Sequence, residues 1–109
     1  MTDKIIVLST CASDKEAERL ARSLVEQRLA ACVNVVPRVR SFYRWKGVIE
    51  AGDEWLLIIK SSRDRMAGLL ACIEKEHSYK VPEAIALPLI DGAPKYLEWL
   101  EHSLTEESG

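Results

Sequence analysis

Residues 76–83 gather more side chains capable of chemistry than any other segment of this sequence. They bring together two carboxylates, an imidazole, a phenol and an ammonium group, from Glu76, His77, Tyr79, Lys80 and Glu83. The segment lies between a predicted helix and a predicted strand, and loops held by rigid elements commonly carry function. Charged groups are also usual on solvated helix ends. The segment therefore predicts either a binding site or an ordinary helix C-terminus.

A metal ion is the most specific ligand that these residue types suggest. His77 could act with a thiolate and a carboxylate, and Cys11 and Glu76 are the candidates for those groups. Such donors suit copper or zinc. No two of them share the spacing of a dedicated metal motif, however, and the helix dipole would also stabilise a protonated His77 without any metal. The metal site is a hypothesis that depends on whether the fold brings these residues together.

Catalysis is the less favoured interpretation. The sequence has no nucleophile elbow, no glycine-rich phosphate loop and no H-E-x-x-H zinc motif. Cys11 and His77 could form a thiol–imidazole pair, but Cys11 is as readily a packing residue at the end of a strand. We therefore expect a protein that is not an enzyme and that uses no organic cofactor.

A basic and aromatic stretch over residues 38–46 raises the possibility of nucleic-acid binding, because RNA-recognition modules share the predicted order of strands and helices. Their aromatic signature is missing from residues 55–59, and the net charge of −2 gives no general attraction to phosphate. We favour an alternative in which Tyr43 and Trp45 are buried by another subunit, while the neighbouring arginines pair with its acids. No nucleic-acid partner is expected.

Length and composition predict one globular domain over residues 1–109. Hydrophobic residues make up 48% of the chain, which supports a core and excludes a disordered chain. No apolar run approaches the roughly 20 residues that cross a bilayer, and no signal-peptide pattern is present. Three scattered cysteines without a C-x-x-C pair fit reduced thiols. We expect a cytoplasmic protein without a membrane partner.

Hydrophobic periodicity predicts the order strand, helix, strand, strand, helix, strand, helix. The first strand covers 4–9, and a capping box at 13–16 begins the first helix. After the hairpin, a capping signal at 61–64 begins the second helix, and a strand over 83–90 precedes a third helix from Pro94. Residues 105–109 are expected to fray.

The predicted hairpin, with arms over 32–46 and 48–60, is unusually long. Typical strands have about 5–6 residues. Gly47 permits the tight turn, Pro37 predicts an edge or a bulge, and Gly52 with Asp53 predicts an interruption in the second arm. A hairpin of this length overhangs a small domain, so another subunit is its simplest cover.

This order of elements predicts an α+β fold, the ferredoxin-like split β-α-β sandwich with an extended hairpin and an extra C-terminal helix. It has one antiparallel sheet with helices on one face. The end of the first strand, the hairpin tip at 45–47 and the loop around His77 then lie at the same end. Residues distant in sequence, including Cys11 and His77, converge there. The convergence strengthens the functional interpretation of residues 76–83.

Seven motifs occur in order along the chain: V-L-S-T at 7–10, S-D-K-E-A-E-R-L-A at 13–21, R-L-A-A-C-V-N at 28–34, S-F-Y-R-W-K-G at 41–47, L-I-I-K-S at 57–61, H-S-Y-K-V-P-E at 77–83 and Y-L-E-W-L at 96–100. Together they resemble the CutA family of divalent-cation tolerance proteins over nearly the whole chain. The resemblance implies a homotrimer with hairpins that pair across subunits at Tyr43 and Trp45. It also implies tolerance of copper and other divalent metals without an established enzymatic activity.

Some bacterial members of the family bind copper through a cysteine and histidines. His77 matches one ligand histidine, whereas Glu76 stands where a neighbouring histidine is expected. The ligand cysteine falls on Ser9, and Cys11, two residues later on the same strand face, is the candidate substitute. A carboxylate in place of an imidazole lowers the preference for copper. The expected ligands of copper or another divalent cation are therefore His77, with Cys11 and Glu76 as helpers.

The family trimer also resembles that of PII-type signalling proteins, which bind small effectors in clefts between subunits. The alternative function is therefore a PII-like module that binds a small anionic effector. Lys60 and Lys80 are the candidate anion contacts, and Tyr79 and Glu83 would line the cleft. A purely structural trimer scaffold is the third possibility.

Overall fold

The computed structural model describes residues 2–105, which form one four-stranded antiparallel sheet and three α-helices. The elements are β1 (Lys4–Cys11), α1 (Asp14–Glu26), β2 (Cys32–Trp45), β3 (Val48–Ser62), α2 (Met66–Glu76), β4 (Ile85–Pro88) and α3 (Pro94–Thr105). The strand order is β2-β3-β1-β4. Both the order of elements and the sheet topology confirm the predicted ferredoxin-like α+β fold.

The core lies between one face of the sheet and the helices α1 and α2. Alternate residues of β1 point to this face, and they pack with Leu57 and Ile59 of β3 and with the apolar stripes of both helices. The helical residues of this core are Ala17, Leu20, Leu24, Leu69, Cys72 and Ile73. The other face of the sheet, here called the open face, carries Ile6, Leu8 and Thr10 of β1, which are only partly buried.

The two capping signals have different outcomes. The hydroxyl of Ser13 accepts a hydrogen bond from the backbone N–H of Glu16 at 3.1 Å, so α1 begins as predicted. Ahead of α2, the hydroxyl of Ser62 bonds to the carboxylate of Asp64 and caps no helical N–H. The chain therefore first makes a 3-10 turn over Arg63–Arg65, and α2 begins only at Met66.

The β2–β3 hairpin overhangs the rest of the sheet, as predicted. Lys46 and Gly47, with φ angles of 51° and 80°, form its two-residue turn. Because β1 ends where Cys11 pairs with Trp55, the hairpin residues 39–54 extend past it. The predicted interruption at residues 52–53 is wrong, since both residues stay paired with β2.

The irregularity lies in β2 instead, between Val36 and Val39. Pro37 has no N–H for the ladder, and Arg38 has a φ angle of 58°. Together they stand opposite Trp55 alone, which confirms the bulge predicted at Pro37.

Helix α3 packs at the far end of the sheet from the hairpin tip. Its Leu100 and Leu104 form a small core with Ala31. Arg28 and Arg65 donate hydrogen bonds of 2.8 Å and 2.9 Å to carbonyls of its last turn, which satisfies groups that a helix end leaves open. Thr105 belongs to this helix, and the rest of the segment expected to fray, residues 106–109, lies outside the described residues.

Strand β4 is shorter than the predicted range 83–90, because residues 83 and 84 belong to the loop before it and residues 89 and 90 to the segment after it. No helix within residues 2–105 has the length and apolar character needed to cross a bilayer.

Candidate functional site

His77 caps the C-terminus of α2, and its buried imidazole joins the end of β1 to the loop that follows the helix. Nδ1 accepts a hydrogen bond from the backbone N–H of Tyr79 at 3.0 Å. The ring proton is therefore assigned to Nε2, which donates to the backbone carbonyl of Thr10 at 2.7 Å. Both ring nitrogens are occupied by the protein itself.

Glu16 holds the same loop from the other side. Its carboxylate accepts hydrogen bonds from the backbone N–H and the hydroxyl of Ser78, at 2.6 Å and 3.0 Å, and a third at 3.3 Å from the N–H of Ala12. Its Oε2 lies 3.7 Å from Nδ1 of His77. Burial alone would raise the pKa of Glu16, but these hydrogen bonds outweigh it and the pKa is lowered. The ionised carboxylate ties the start of α1 to the His77 loop.

The other two predicted metal ligands do not join His77. Cys11 lies fully buried on the helix side of β1, and burial raises the pKa of its thiol to about 12. Glu76 directs its carboxylate between α1 and α2, where it accepts hydrogen bonds from the hydroxyl of Ser23 at 3.0 Å and from the thiol of Cys72 at 3.4 Å. Ser9, which occupies the ligand cysteine's position, is also buried, and its hydroxyl has no hydrogen-bond partner among the described residues.

A copper or zinc ion does not fit these residues as they are arranged. A thiolate is the metal-binding form of cysteine, whereas the Cys11 thiol stays protonated, and the nitrogens of His77 are both engaged. Within residues 2–105, no three His, Cys, Asp or Glu side chains gather as they do around a metal ion. Metal binding by His77, Cys11 and Glu76 stays a prediction that requires this end of the fold to rearrange.

A pocket of about 540 Å³ opens next to His77, between the overhanging hairpin and the loop 79–83. Its lining includes three carboxylates, four aromatic rings, one ammonium group and one threonine, from Glu50, Glu54, Glu83, Phe42, Tyr43, Trp45, Tyr79, Lys80 and Thr10. The hydroxyl of Tyr79 donates to Glu54 at 2.7 Å. Burial and this contact raise the pKa of Tyr79, so the phenol stays protonated. Tyr79 belongs to the His77 loop and also lines the pocket.

The pocket brings together most of the residues predicted for an effector cleft or for an interface. Tyr79, Lys80 and Glu83 line it beside Tyr43 and Trp45. Lys60 lies apart from it, near α3, where its ammonium group is 3.3 Å from the hydroxyl of Tyr96 and 5.6 Å from the centre of that ring. The two lysines proposed as anion contacts therefore do not meet within one chain.

Sequence reasoning missed two carboxylates of the pocket, Glu50 and Glu54. They stand on β3 opposite Tyr43 and Val39 of β2. Residues that pair across the hairpin share a face of the sheet. The register of the hairpin therefore indicates that both carboxylates lie on the face of Tyr43. That register follows from the two-residue turn at Lys46 and Gly47, because both pairs lie between this turn and the bulge.

The hairpin tip exposes large apolar side chains on both of its faces. Phe42, Tyr43, Trp45, Val48 and Ile49 are between 45% and 68% exposed. Arg38 pairs with Asp53 of the same chain at 3.1 Å, and Arg40 lies 5.5 Å above the ring of Phe42. An exposed apolar surface of this kind marks a site of interaction.

The chain matches the family model of the CutA1 divalent ion tolerance protein over residues 5–103. It is 43% identical to the chloroplastic protein CutA of Arabidopsis thaliana, over 91% of this chain and 54% of that protein. The chain thus spans about half the length of that curated relative. That relative is chloroplastic, whereas the location predicted here from the sequence is the cytoplasm.

Bacterial relatives match over nearly their whole length. The divalent-cation tolerance protein CutA of Thermus thermophilus is 42% identical over 90% of this chain and 95% of that protein. The crystal structure of CutA from Xylella fastidiosa is similar with a TM-score of 0.92 and 38% identity, over 94% of this chain and 99% of that one. The chain belongs to the CutA family of divalent-cation tolerance proteins.

Proposed function

We propose that this protein acts in the tolerance of divalent cations as a non-catalytic homotrimer in the cytoplasm. Membership of the CutA family supports the cellular role. The observation that carries the assembly is the overhanging hairpin, whose apolar side chains are exposed on both faces of the tip.

The cost of leaving this hairpin in water supports an assembly. Tyr43 and Trp45 lie on one face and Ile49 on the other, so a single neighbouring element would leave one face uncovered. Ile85 and Leu87 of β4 add exposed apolar surface on the open face. A hairpin that docks on a different surface of the next subunit makes a head-to-tail contact, and such contacts form a ring when the rotation between subunits closes. The family resemblance supports a ring of three subunits.

Light scattering tests the assembly. The wild-type protein is expected to have three times the mass of one chain, and Trp45→Glu should shift the mass toward one chain because it places a charge in the interface. Lys15→Glu, on the exposed start of α1, is the control that changes charge without touching the hairpin. A wild-type mass of a single chain would refute the assembly.

The cellular role is tested by growth of a strain that lacks this protein on graded copper and zinc. The proposal expects growth at metal levels that stop the deletion strain once the wild-type protein is restored. Equal growth of the two strains at every metal level would contradict it.

Direct copper binding at His77, Cys11 and Glu76 is the finer form of this proposal, and the contacts described above count against it. Equilibrium dialysis of the reduced protein against copper and zinc, with His77→Ala alongside, decides the matter. Near-stoichiometric copper that the variant loses would support the site. No retained metal, or equal retention by both proteins, would remove it.

The PII-like alternative draws support from the pocket beside the hairpin. The charge of the pocket does not favour an anionic effector. Three carboxylates line the pocket with only one ammonium group, and Lys60 lies elsewhere.

A further inference from the structure

The two faces of the overhanging hairpin carry opposite charges. Glu50 and Glu54 lie on the same face as Tyr43, and this face lines the pocket described above. Arg40 and Arg44 lie an odd number of residues from Tyr43 along β2, so they belong to the opposite face. A surface of this kind can pair its acidic face with the basic face of a second copy of the chain.

Glu83 is the acidic group of the pocket that most needs a cation. The residue is half-buried in the pocket wall, and its side chain makes no hydrogen bond or ion pair within residues 2–105. Glu50 is exposed on the hairpin, and Glu54 already accepts a hydrogen bond from Tyr79. The proposed assembly covers this pocket with a neighbouring subunit. An unpaired Glu83 would then be a buried bare charge, which is costly.

Arg44 is the arginine of the basic face whose charge the chain itself leaves uncompensated. Its side chain makes one contact within residues 2–105, a hydrogen bond of 3.4 Å to the carbonyl of Gly47. Arg38 and Arg40, in contrast, lie 3.1 Å and 3.9 Å from the carboxylate of Asp53 in their own chain. Arg44 is therefore the arginine available to another subunit.

We propose that Arg44 of one subunit enters the pocket of the next subunit and pairs there with Glu83. This inference rests on the homotrimer proposed above and names the side chains that join its subunits. Aromatic rings, among them those of Tyr43 and Trp45, line the pocket. Such rings attract a guanidinium group, and a carboxylate can accept two of its N–H groups at once. The pocket thus combines both kinds of group that recognise an arginine.

This contact explains how one type of interface covers both faces of the hairpin tip. Ile49 is 66% exposed and pairs with Arg44 across the hairpin, so it lies on the same face and is covered with it. Tyr43 and Trp45 lie on the other face and receive the hairpin of the preceding subunit. Each subunit then gives one face and receives on the other, which is a head-to-tail contact.

Lys46 of the neighbouring subunit is the competing cation. It lies in the two-residue turn, directly after β2. Arg44 is favoured because a planar guanidinium stacks on aromatic rings and binds a carboxylate through two N–H groups, whereas an ammonium group is more strongly hydrated.

Subunit exchange between trimers that carry different fluorescent labels tests the pair in the assembled protein. Arg44→Glu and Glu83→Arg should each speed exchange at least about tenfold, because each variant places two like charges in the interface. The double variant restores a pair of opposite charges and should exchange within about threefold of the wild-type rate. A single variant that no longer assembles, while the double variant does, supports the pair equally.

Matched variants separate this pair from a general effect of charge. Lys46→Glu makes the same change of charge beside Arg44, and it should alter the exchange rate by less than about threefold. Glu18→Arg, on the exposed face of α1, is the control for Glu83→Arg and should leave the rate unchanged.

Three results would overturn the pair. The first is wild-type exchange in both single variants, and the second is effects that add in the double variant. The third is rescue of Lys46→Glu, and not of Arg44→Glu, by Glu83→Arg, which would assign the pocket to Lys46. A wild-type mass of a single chain would instead refute the assembly on which the pair rests, so light scattering distinguishes the two failures.

Discussion

The His77 end and the hairpin pocket share Thr10 and Tyr79, yet their polar groups are used in opposite ways. At the His77 end, Glu16 accepts three hydrogen bonds and both nitrogens of His77 are engaged. In the pocket, Glu50 and Glu83 have no such partners among residues 2–105. Buried polar groups that satisfy one another stabilise a fold, whereas unpaired ones in a cavity remain available to a ligand. The fold itself uses the polar groups at the His77 end, whereas the described chain does not use the side chains of Glu50 and Glu83.

Removal of the Glu16 carboxylate is the strongest test of this comparison. Glu16→Ala should lower the free energy of unfolding by about 2 kcal/mol, because it removes a buried carboxylate that accepts hydrogen bonds from Ala12 and Ser78. Glu18→Ala, on the same helix with an exposed ion pair to Arg22, should change it by less than about 0.5 kcal/mol. Urea unfolding at one protein concentration measures both, and equal effects would show that Glu16 is no structural anchor.

His77→Ala should lower the free energy of unfolding by about 2 kcal/mol in metal-free protein, since it breaks one hydrogen bond to Thr10 of β1 and one to Tyr79 of the following loop. His102→Ala, exposed on α3, serves as the control. Unfolding is measured with and without a chelator. A destabilisation that appears only in metal-loaded protein would identify His77 as a ligand instead.

Acid should abolish only the part of the Glu16 contribution that comes from its charge. The folded pKa of Glu16 is lowered from 4.5, so its stabilisation is complete above that value and is lost as the pH falls through the folded pKa. The stability difference between wild type and Glu16→Gln should therefore stay constant from pH 7 to 6 and shrink below about pH 4.5. A constant difference down to pH 3 would contradict the assignment.

Ser9→Ala should raise the free energy of unfolding by about 1 kcal/mol, because it removes a buried hydroxyl that lacks a partner. Ser61→Ala is the matched control. Ser61 is equally buried, but its hydroxyl donates to the carbonyl of Leu29 at 2.6 Å, so its removal should destabilise by about 1 kcal/mol. Thermal unfolding of the two variants should shift in opposite directions.

Glu50→Gln should have the smallest effect on stability. Its side chain has no partner in the described chain, so the free energy of unfolding should stay within about 0.5 kcal/mol of the wild-type value. A larger loss would mean that this carboxylate is used by the fold or by the assembly, and that the contrast with Glu16 fails.

The elements of the fold were largely predictable because their signals are local. The hydroxyl of Ser13 reaches an N–H three residues away, and the stripe of α1 follows the helical period. Pro37 excludes a regular ladder by its own chemistry. Gly52 and Asp53 misled the prediction because strand pairing overrides local preference, and Asp53 gains an ion pair with Arg38 across the hairpin.

The site was only partly predictable. Chain direction alone brought the end of β1, the hairpin tip and the His77 loop to one end of the sheet, because strands and helices alternate in direction. Cys11 and His77 lie at the same end of the sheet, but they do not form a set of metal ligands. The alternation of side chains along β1 places the thiol of Cys11 in the core. Glu76 accepts a hydrogen bond from Ser23 on the neighbouring helix. Such partners lie far away in sequence, beyond the reach of spacing rules.

The motifs of the amino-acid sequence by themselves identified the family. The sequence also determined the order of elements and the overhanging hairpin, because these depend on periodicity, caps and turns that act within a few residues. Only the tertiary structure decided which polar groups were already satisfied. Ser78 lies 62 residues from Glu16, and Glu54 lies 25 residues from Tyr79. A hydrogen bond depends on distances of tenths of an ångström, and only the packed fold sets such distances.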